Sequence, residues 1–263
     1  MRKIFLIFST LIASLPAIAQ TSDQDLKDEH RQRINELKKE EEEGVITYKK
    51  QTDFGIKLIS DGYGAFFEIG RAKSIRKSLL FQLEIDERKS AREQKQDNPY
   101  EPAPALIFGK QNFFYPVKLG VQQQILLGNK SNKNGVCVTA NYGGGIALGI
   151  LRPYYVEVTT DSTGLTTDYI KLNSTDSSEF LNPSDIVGGP GLGQGWSDLT
   201  VVPGLYAKGA FRFDYARYNE VVAALEIGIT EEYYTQKIPI MVYSKAEQSF
   251  TSVYISIIFG GRK

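Results

Sequence analysis

Little in this chain could build a covalent or metal-held framework. Of its 263 residues one is cysteine, Cys137, and one is histidine, His30. A lone thiol excludes a disulfide scaffold. A lone imidazole leaves a Ser–His hydrolase without its base and a His-based metal site without its ligands. Asp, Glu and Tyr are plentiful, but no spacing singles out an acid–base pair, so no catalytic residue, metal or cofactor is assigned and the chain is expected not to be an enzyme. Neither charge is in excess: 31 basic residues meet 31 acidic ones, and loss of Arg2 and Lys3 with a leader tips the balance slightly acidic. No polyanion-binding surface and no nucleic-acid partner is therefore expected. Beyond the first residues no apolar run approaches the roughly 18 residues a membrane helix needs.

What is present starts with an export signal. Arg2-Lys3, the apolar stretch from Ile4 to about Ile18, and the small-residue site Ala17-Ile18-Ala19 before Gln20 are the three parts of a secretory signal peptide. Cleavage is expected near Ala19, which makes residues 1–19 the signal. Residues 20–44 form a charged leader, ending in Lys38-Lys39-Glu40-Glu41-Glu42-Glu43 and a helix-stopping Gly44. Leu26, Ile34 and Leu37 make only a thin apolar stripe, so a short solvated helix or a disordered tether is expected on the periplasmic side. Cys137 opens a strand, where a small packed residue is expected rather than a reactive thiol.

From Thr47 onward the pattern has period two, the spacing of a strand with two different faces. Ser78 to Asp86 is the cleanest case, with Leu79, Phe81, Leu83 and Ile85 alternating with Gln82, Glu84 and Asp86. Similar segments run from Asp53 to Ser60, Gly64 to Arg71, Phe114 to Ile125, Val136 to Ile150, Pro203 to Phe213, Glu220 to Thr230 and Phe250 to Phe259. That predicts an all-β fold: an antiparallel up-and-down transmembrane β-barrel of about eight strands over residues 45–263, each strand of the ~9 to 11 residues that cross a bilayer when tilted. The connections alternate. Residues 72–77, 127–135 and 214–219 are short turns, whereas 87–113, 151–202 and 231–249 are expected as long outer loops. Only the turn at Asp61-Gly62-Tyr63 breaks the rhythm. Tyr63, Phe113, Tyr115, Phe211, Tyr215, Tyr218, Tyr233, Tyr234 and Phe259 fall near strand ends, where an interface girdle of aromatic rings is expected.

The alanine–glutamine junction Ala19-Gln20, the period-two strands and the apolar last strand Val253-Tyr254-Ile255-Ser256-Ile257-Ile258-Phe259 carry a resemblance. By pattern over residues 45–263 the chain resembles the small outer-membrane β-barrel proteins of Bacteroidota, of porin-family or OmpX-like eight-stranded type. The resemblance implies the outer membrane of a Gram-negative bacterium as location and its lipid as a partner. It also implies a role as a structural or accessory subunit that binds another envelope protein, as in secretion or barrel-assembly complexes. Asp161-Ser162-Thr163 fits a short glycosylation pattern of the same group, at a length that recurs by chance.

The lumen, the loops and the leader are the places where function can reside. Inward positions include Lys57, Lys118, Lys208 and Arg212 with Glu68, Glu84 and Glu226, and the amides of Gln82, Gln122, Gln124 and Asn141. In an eight-stranded barrel side chains fill the interior, so these groups are expected to pair as a polar plug. A small-solute or ion channel is the alternative, with Gly143, Gly145 and Gly149 leaving space. A second alternative is a soluble periplasmic binding protein of lipocalin type, which would turn Leu79, Phe81, Leu83 and Ile85 inward. The run Gly188-Gly189-Pro190-Gly191-Leu192-Gly193-Gln194-Gly195-Trp196 lacks the Lys-Ser/Thr ending of a phosphate loop and is expected to be flexible. Within the longest loop, Tyr154 to Thr160 and Thr167 to Leu172 could extend a hairpin. Trp196, Tyr154 and Tyr155 are its candidate contact residues, with Trp196 expected to pack on the barrel rim.

Overall fold

The computed structural model describes residues 31–32, 48–96, 104–130, 135–160, 166–173, 177–191, 193–216, 218 and 220–263. The signal peptide, the leader apart from residues 31 and 32, and Asp161-Ser162-Thr163 lie outside the described residues. The folded unit spans Ile46–Lys263. Its elements are β1 (Lys50–Ile59), β2 (Gly62–Ser74), β3 (Lys77–Arg88), β4 (Lys95–Gln96), β5 (Leu106–Ile107), β6 (Asn112–Gly128), β7 (Cys137–Pro153), β8 (Tyr155–Thr159) and β9 (Thr167–Lys171), the single-turn α1 (Ser177–Phe180), and β10 (Ile186–Gly188), β11 (Thr200–Asp214), β12 (Val221–Ile238) and β13 (Glu247–Arg262). Among the described residues no helix is long and apolar enough to cross a membrane.

Eight long strands close on themselves in the order β1-β13-β12-β11-β7-β6-β3-β2. Every neighbouring pair is antiparallel, and the ring closes where β1 pairs with β13, with Ile56 opposite Ile257. This is an up-and-down barrel, because each long strand is followed round the ring by the next in sequence. Closure satisfies every edge, the condition a strand must meet where no water is available to its backbone.

The pleat then sorts side chains by parity. On β3, Phe81, Leu83 and Ile85 are 49%, 40% and 52% exposed, whereas Gln82 and Glu84 are 2% and 1%. The same rule runs round the outside through Phe54, Ile56, Leu58, Phe67, Ile69, Leu119, Ile146, Leu205, Ile227, Ile229, Val253, Ile255 and Ile257. Apolar outside and charged inside is the arrangement of a transmembrane barrel. It overturns the lipocalin-type alternative, which needed the Phe81 face inward.

Three expectations about element ends are corrected. The strands are longer than the span of a bilayer requires: β6 and β7 have 17 residues each, β12 has 18 and β13 has 16. Their pairing continues past the lipid belt because neighbouring strands, held by ladder bonds and buried partners, rise together. As a result, residues 231–249 are mostly strand, and the connection shrinks to 239–246. Tyr234, placed in the aromatic girdle, is fully buried inside, whereas Tyr233 beside it is 57% exposed; adjacent residues of one strand cannot share a face. Finally, the glycine run is ordered at its ends. Gly188 closes β10, the Gly189 N–H donates to the Pro104 carbonyl at 2.9 Å, and Gly195 takes a positive φ of 85° that a glycine adopts without strain.

The long-loop end carries a small second structure. β8 pairs with β9, as the hairpin reading anticipated, with Glu157 opposite Tyr169. β10 adds on the other side of β8 to give the order β10-β8-β9. Ile107, Tyr154, Val156, Val158, Phe180 and Met241 form a buried cluster drawn from all three long connections. The Gln111 N–H donates to Ile240 O at 2.8 Å, Val242 N–H to Gly109 O at 2.8 Å and Tyr154 N–H to Gln111 O at 2.9 Å. The three connections are thus one folded cap.

Candidate functional site

Parity places Lys57, Glu68, Gln82, Glu84, Lys118, Gln122, Asn141, Lys208, Arg212 and Glu226 on inward positions, and all of them are buried. What joins them is two multiply bound cations. Arg212, on β11, reaches three strands: Nη2 donates to Glu68 Oε2 at 2.7 Å, Nε to Glu226 Oε2 at 2.8 Å, and Nη1 to Asp53 Oδ2 at 3.3 Å. A planar fork with several fixed donors is what such a junction needs, and an ammonium has no equivalent geometry. Around it, Asn141 Nδ2 donates to Glu226 Oε2 at 2.9 Å and Tyr254 OH to Glu226 Oε1 at 2.8 Å. Gln122 Nε2 donates to Gln82 Oε1, and Lys208 Nζ reaches the same oxygen at 3.1 Å.

The second junction lies nearer the cap. Lys118, on β6, is 2.5 Å from both Glu84 Oε1 and Asp86 Oδ2 and 2.8 Å from Glu232 Oε1. Lys57 pairs with the same Glu84. Arg88 completes the layer, donating from Nη2 to Glu232 Oε1 at 2.6 Å and from Nη1 to Asp61 Oδ2 and Ser252 Oγ, each at 2.5 Å. At the short-turn end Arg262 Nη2 donates to Asp214 Oδ2 at 2.5 Å and Nε to Gln51 Oε1 at 3.1 Å; at the same end Gln124 Oε1 accepts from Tyr48 OH at 3.1 Å. Charges buried this deeply are tolerated only when paired and hydrogen-bonded. The pairing is not saturated: Asp53 Oδ1, Glu84 Oε2 and Asp86 Oδ1 have no hydrogen-bond partner among the described residues.

Asp53, Asp86, Arg88, Glu232, Asp214 and Arg262 belong to this network and were not among the expected site residues. The signal was there: Gln82, Glu84, Asp86 and Arg88 keep step, as do Glu226, Thr230 and Glu232. At Arg88 and Glu232 a charged stretch beside a long connection reads as loop, and Asp214 falls in a turn, whereas Asp53 and Asp86 lie at the ends of the expected strands.

Above the charges lies an apolar layer. Phe114 meets Tyr234 edge-on with centroids 5.4 Å apart and Phe250 at 5.3 Å, among Leu151, Val202, Tyr206 and Ile238. Inward glycines house these rings instead of leaving space. A Cβ on Gly149 would stand 2.9 Å from Phe114 Cε2 and 3.0 Å from Tyr234 Cε1, and one on Gly120 would stand 2.9 Å from Tyr206 Cζ. At Gly143 and Gly145 it would stand 2.5 Å from the Cα atoms of Gln122 and Gly120. The space expected at Gly143, Gly145 and Gly149 is therefore already filled.

The candidate loop residues divide. Tyr154 is buried in the cap and its hydroxyl accepts the Ile107 N–H at 2.8 Å; burial pushes that hydroxyl up to about 12. Tyr155 donates to Asp198 Oδ2 at 2.5 Å beside Lys171 Nζ at 2.6 Å, and those two partners hold the Asp198 carboxyl below its usual range. Trp196 stacks on Tyr115 at 6.1 Å and 13° between planes. The Arg152 guanidinium lies 4.8 Å from its ring and 4.0 Å from that of Phe113. Trp196 thus packs on the barrel strand β6 through Tyr115 and still leaves 53% of its surface exposed. Among the described residues no group of three or more His, Cys, Asp or Glu side chains is placed to hold a metal ion.

No family model and no curated protein matches the chain. Solved structures with a similar arrangement include the N-terminal β-barrel domain of Pseudomonas aeruginosa OprF, at 8% identity and a TM-score of 0.37, covering 81% of this chain and 99% of that one. Neisserial surface protein A is similar at 12% identity and a TM-score of 0.38, covering 81% and 96%. Ail of Yersinia pestis is similar at 7% identity and a TM-score of 0.33, covering 82% and 99%.

Proposed function

We propose that this chain is a non-enzymatic β-barrel of a Gram-negative outer membrane, closed to conduction, which holds a folded cap outside the cell for contact with another envelope protein. The three-part signal pattern of residues 1–19 supports export towards that membrane, and in this reading the barrel end with short turns faces the periplasm. The observation that carries the closed lumen is the Lys118 junction: one ammonium bound by Glu84, Asp86 and Glu232 directly beneath the ring layer of Phe114, Tyr234 and Phe250. An ion crossing there would have to break buried pairs and displace three rings.

The partner role has separate support. The three connections bury a shared apolar core, and among the described residues no strand pairs with the outer edge of β9, a form suited to presenting a defined surface. A loop that only shielded the barrel mouth would not need its own sheet.

Planar-bilayer recording of the refolded protein tests the closed lumen, with a silent bilayer expected. Steady channels of pore size would overturn it. Copurification from mild detergent tests the partner role, with the intact chain expected to retain an envelope protein that a chain lacking residues 155–198 loses. Retention of the same set by both would remove the cap from the proposal.

A further inference from the structure

Inside the barrel the strand cations have carboxylates beside them; on one part of the outside they have none. Lys49, Lys50, Arg71, Lys73, Arg76 and Lys77 are exposed at the short-turn ends of β1, β2 and β3. Register brings them together, with Lys50 opposite Arg71 and Lys77 opposite Ser74 across neighbouring strands. Among the described residues no Asp or Glu side chain pairs with the side chain of any of the six, and Lys263 O is bound by the N–H groups of Lys49 and Lys50 at 2.9 and 2.7 Å. Among the described residues the rim acid Glu220, at the foot of β12, is separated from them by β13. Like charges directly opposite across a strand pair destabilise it, so this arrangement is unfavourable unless an anion sits against it.

Their position says which anion. Lys50, Arg71, Lys73 and Lys77 continue the parity of the lipid-facing rows: Phe54, Thr52, Lys50 on β1; Ile69, Arg71, Lys73 on β2; Phe81, Leu79, Lys77 on β3. A group that touches them from outside is therefore one whose apolar part lies along Phe54, Ile69 and Phe81. Across the barrel the described residues of the same rim include the exposed, uncharged Leu127, Val136, Tyr215, Tyr218 and Val221, so among the described residues the exposed cations of the β1–β3 foot form a distinct patch. We infer that the β1–β3 foot is a binding surface for the phosphodiester headgroup of an anionic phospholipid in the periplasmic leaflet. Arg71 offers a fork to phosphate oxygens, and the lysines offer point charges around it.

This inference rests on the membrane reading above, and its test separates the two. The protein is reconstituted into vesicles of equimolar phosphatidylethanolamine and phosphatidylglycerol with identical acyl chains, then extracted in mild detergent, and the copurifying lipid is measured. Wild type is expected to retain phosphatidylglycerol over phosphatidylethanolamine by about five-fold or more, given ~1 kcal/mol per cation near an anionic surface. The Lys50→Gln/Arg71→Gln/Lys73→Gln/Lys77→Gln variant is expected to lose that preference, while Lys237→Gln, exposed at the other end of the barrel, keeps it. Equal retention by wild type, or a preference unchanged in the quadruple variant, overturns the inference. Insertion is scored separately in phosphatidylcholine vesicles. A chain that inserts there but shows no headgroup preference removes this inference alone; a chain that fails to insert removes the membrane reading with it.

Discussion

Arg88 and Glu232 stand 144 residues apart in sequence and meet inside the barrel, Nη2 donating to Oε1 at 2.6 Å. Glu232 also holds Lys118 and accepts from Tyr234 OH at 2.8 Å, so a single carboxylate bridges two buried cations. Removing Glu232 leaves Lys118 with Glu84 and Asp86 and Arg88 with Asp61, but it breaks the buried hydrogen bonds from Arg88, Lys118 and Tyr234, at a cost of about 1.5–3 kcal/mol. Glu232→Ala is expected to lower stability by that amount in urea titrations followed in detergent micelles. A loss smaller than ~1 kcal/mol, the size typical of exposed pairs, would mean that water reaches this layer.

The lipid face can be tested by parity. Leu83→Arg puts a guanidinium in the middle of the apolar exterior, where a charge costs roughly 2–4 kcal/mol in a bilayer. The same substitution at exposed Lys237 is expected to be neutral within ~0.5 kcal/mol. Refolding yield into vesicles reports the difference, and equal yields would take Leu83 off the lipid face.

Trp196 is the only tryptophan, so its fluorescence reads one place. Stacked on Tyr115 at the rim, it is expected to be quenched more by lipids brominated near the headgroup than by those brominated deep in the chain. Stronger quenching from the deep position would put the cap side of the barrel at the wrong height.

Tyr154 ties two parts of the cap through the Ile107 N–H. Burial raises its hydroxyl to about 12, above the ~10 of an unfolded chain. The neutral form is the one the fold favours, so this contribution is complete below about pH 10 and fades as pH rises towards 12. Limited proteolysis of the cap should therefore accelerate in that window. Tyr154→Phe is expected to cost about 1 kcal/mol and to abolish the contribution of this residue to the pH step. An identical pH step in the variant would assign it to another group.

Gly149 faces Phe114 and Tyr234, and a larger side chain there overpacks the ring layer. Gly149→Val is expected to destabilise by about 1–3 kcal/mol, measured by heat-dependent gel mobility. Unchanged mobility would show that the layer has room to yield.

Period two made the eight long strands and their inward faces legible, because alternation follows from the pleat of each strand alone. It placed Lys57, Lys118, Lys208 and Arg212 inside without knowing what they meet. Ends were legible only coarsely: alternation continues through Asp86 and Arg88, but a charged stretch beside a long connection reads equally as loop. The cap was half legible. The β8–β9 hairpin shows in its alternation, whereas β10 and the docking of Met241 beneath Tyr154 do not, since both depend on contacts between connections far apart in sequence.

By itself, then, the sequence determined a chain with one histidine, one cysteine and a repeated two-faced pattern, which is local chemistry that each segment carries alone. Tertiary structure decided which face is outside, with Phe81 exposed and Gln82 buried. It also decided which carboxylates Arg212 gathers and that Gly149 makes room for the rings of Phe114 and Tyr234. The physical reason is closure: only when β1 meets β13 does the register fix which side chains face each other across the lumen, and no segment contains that information.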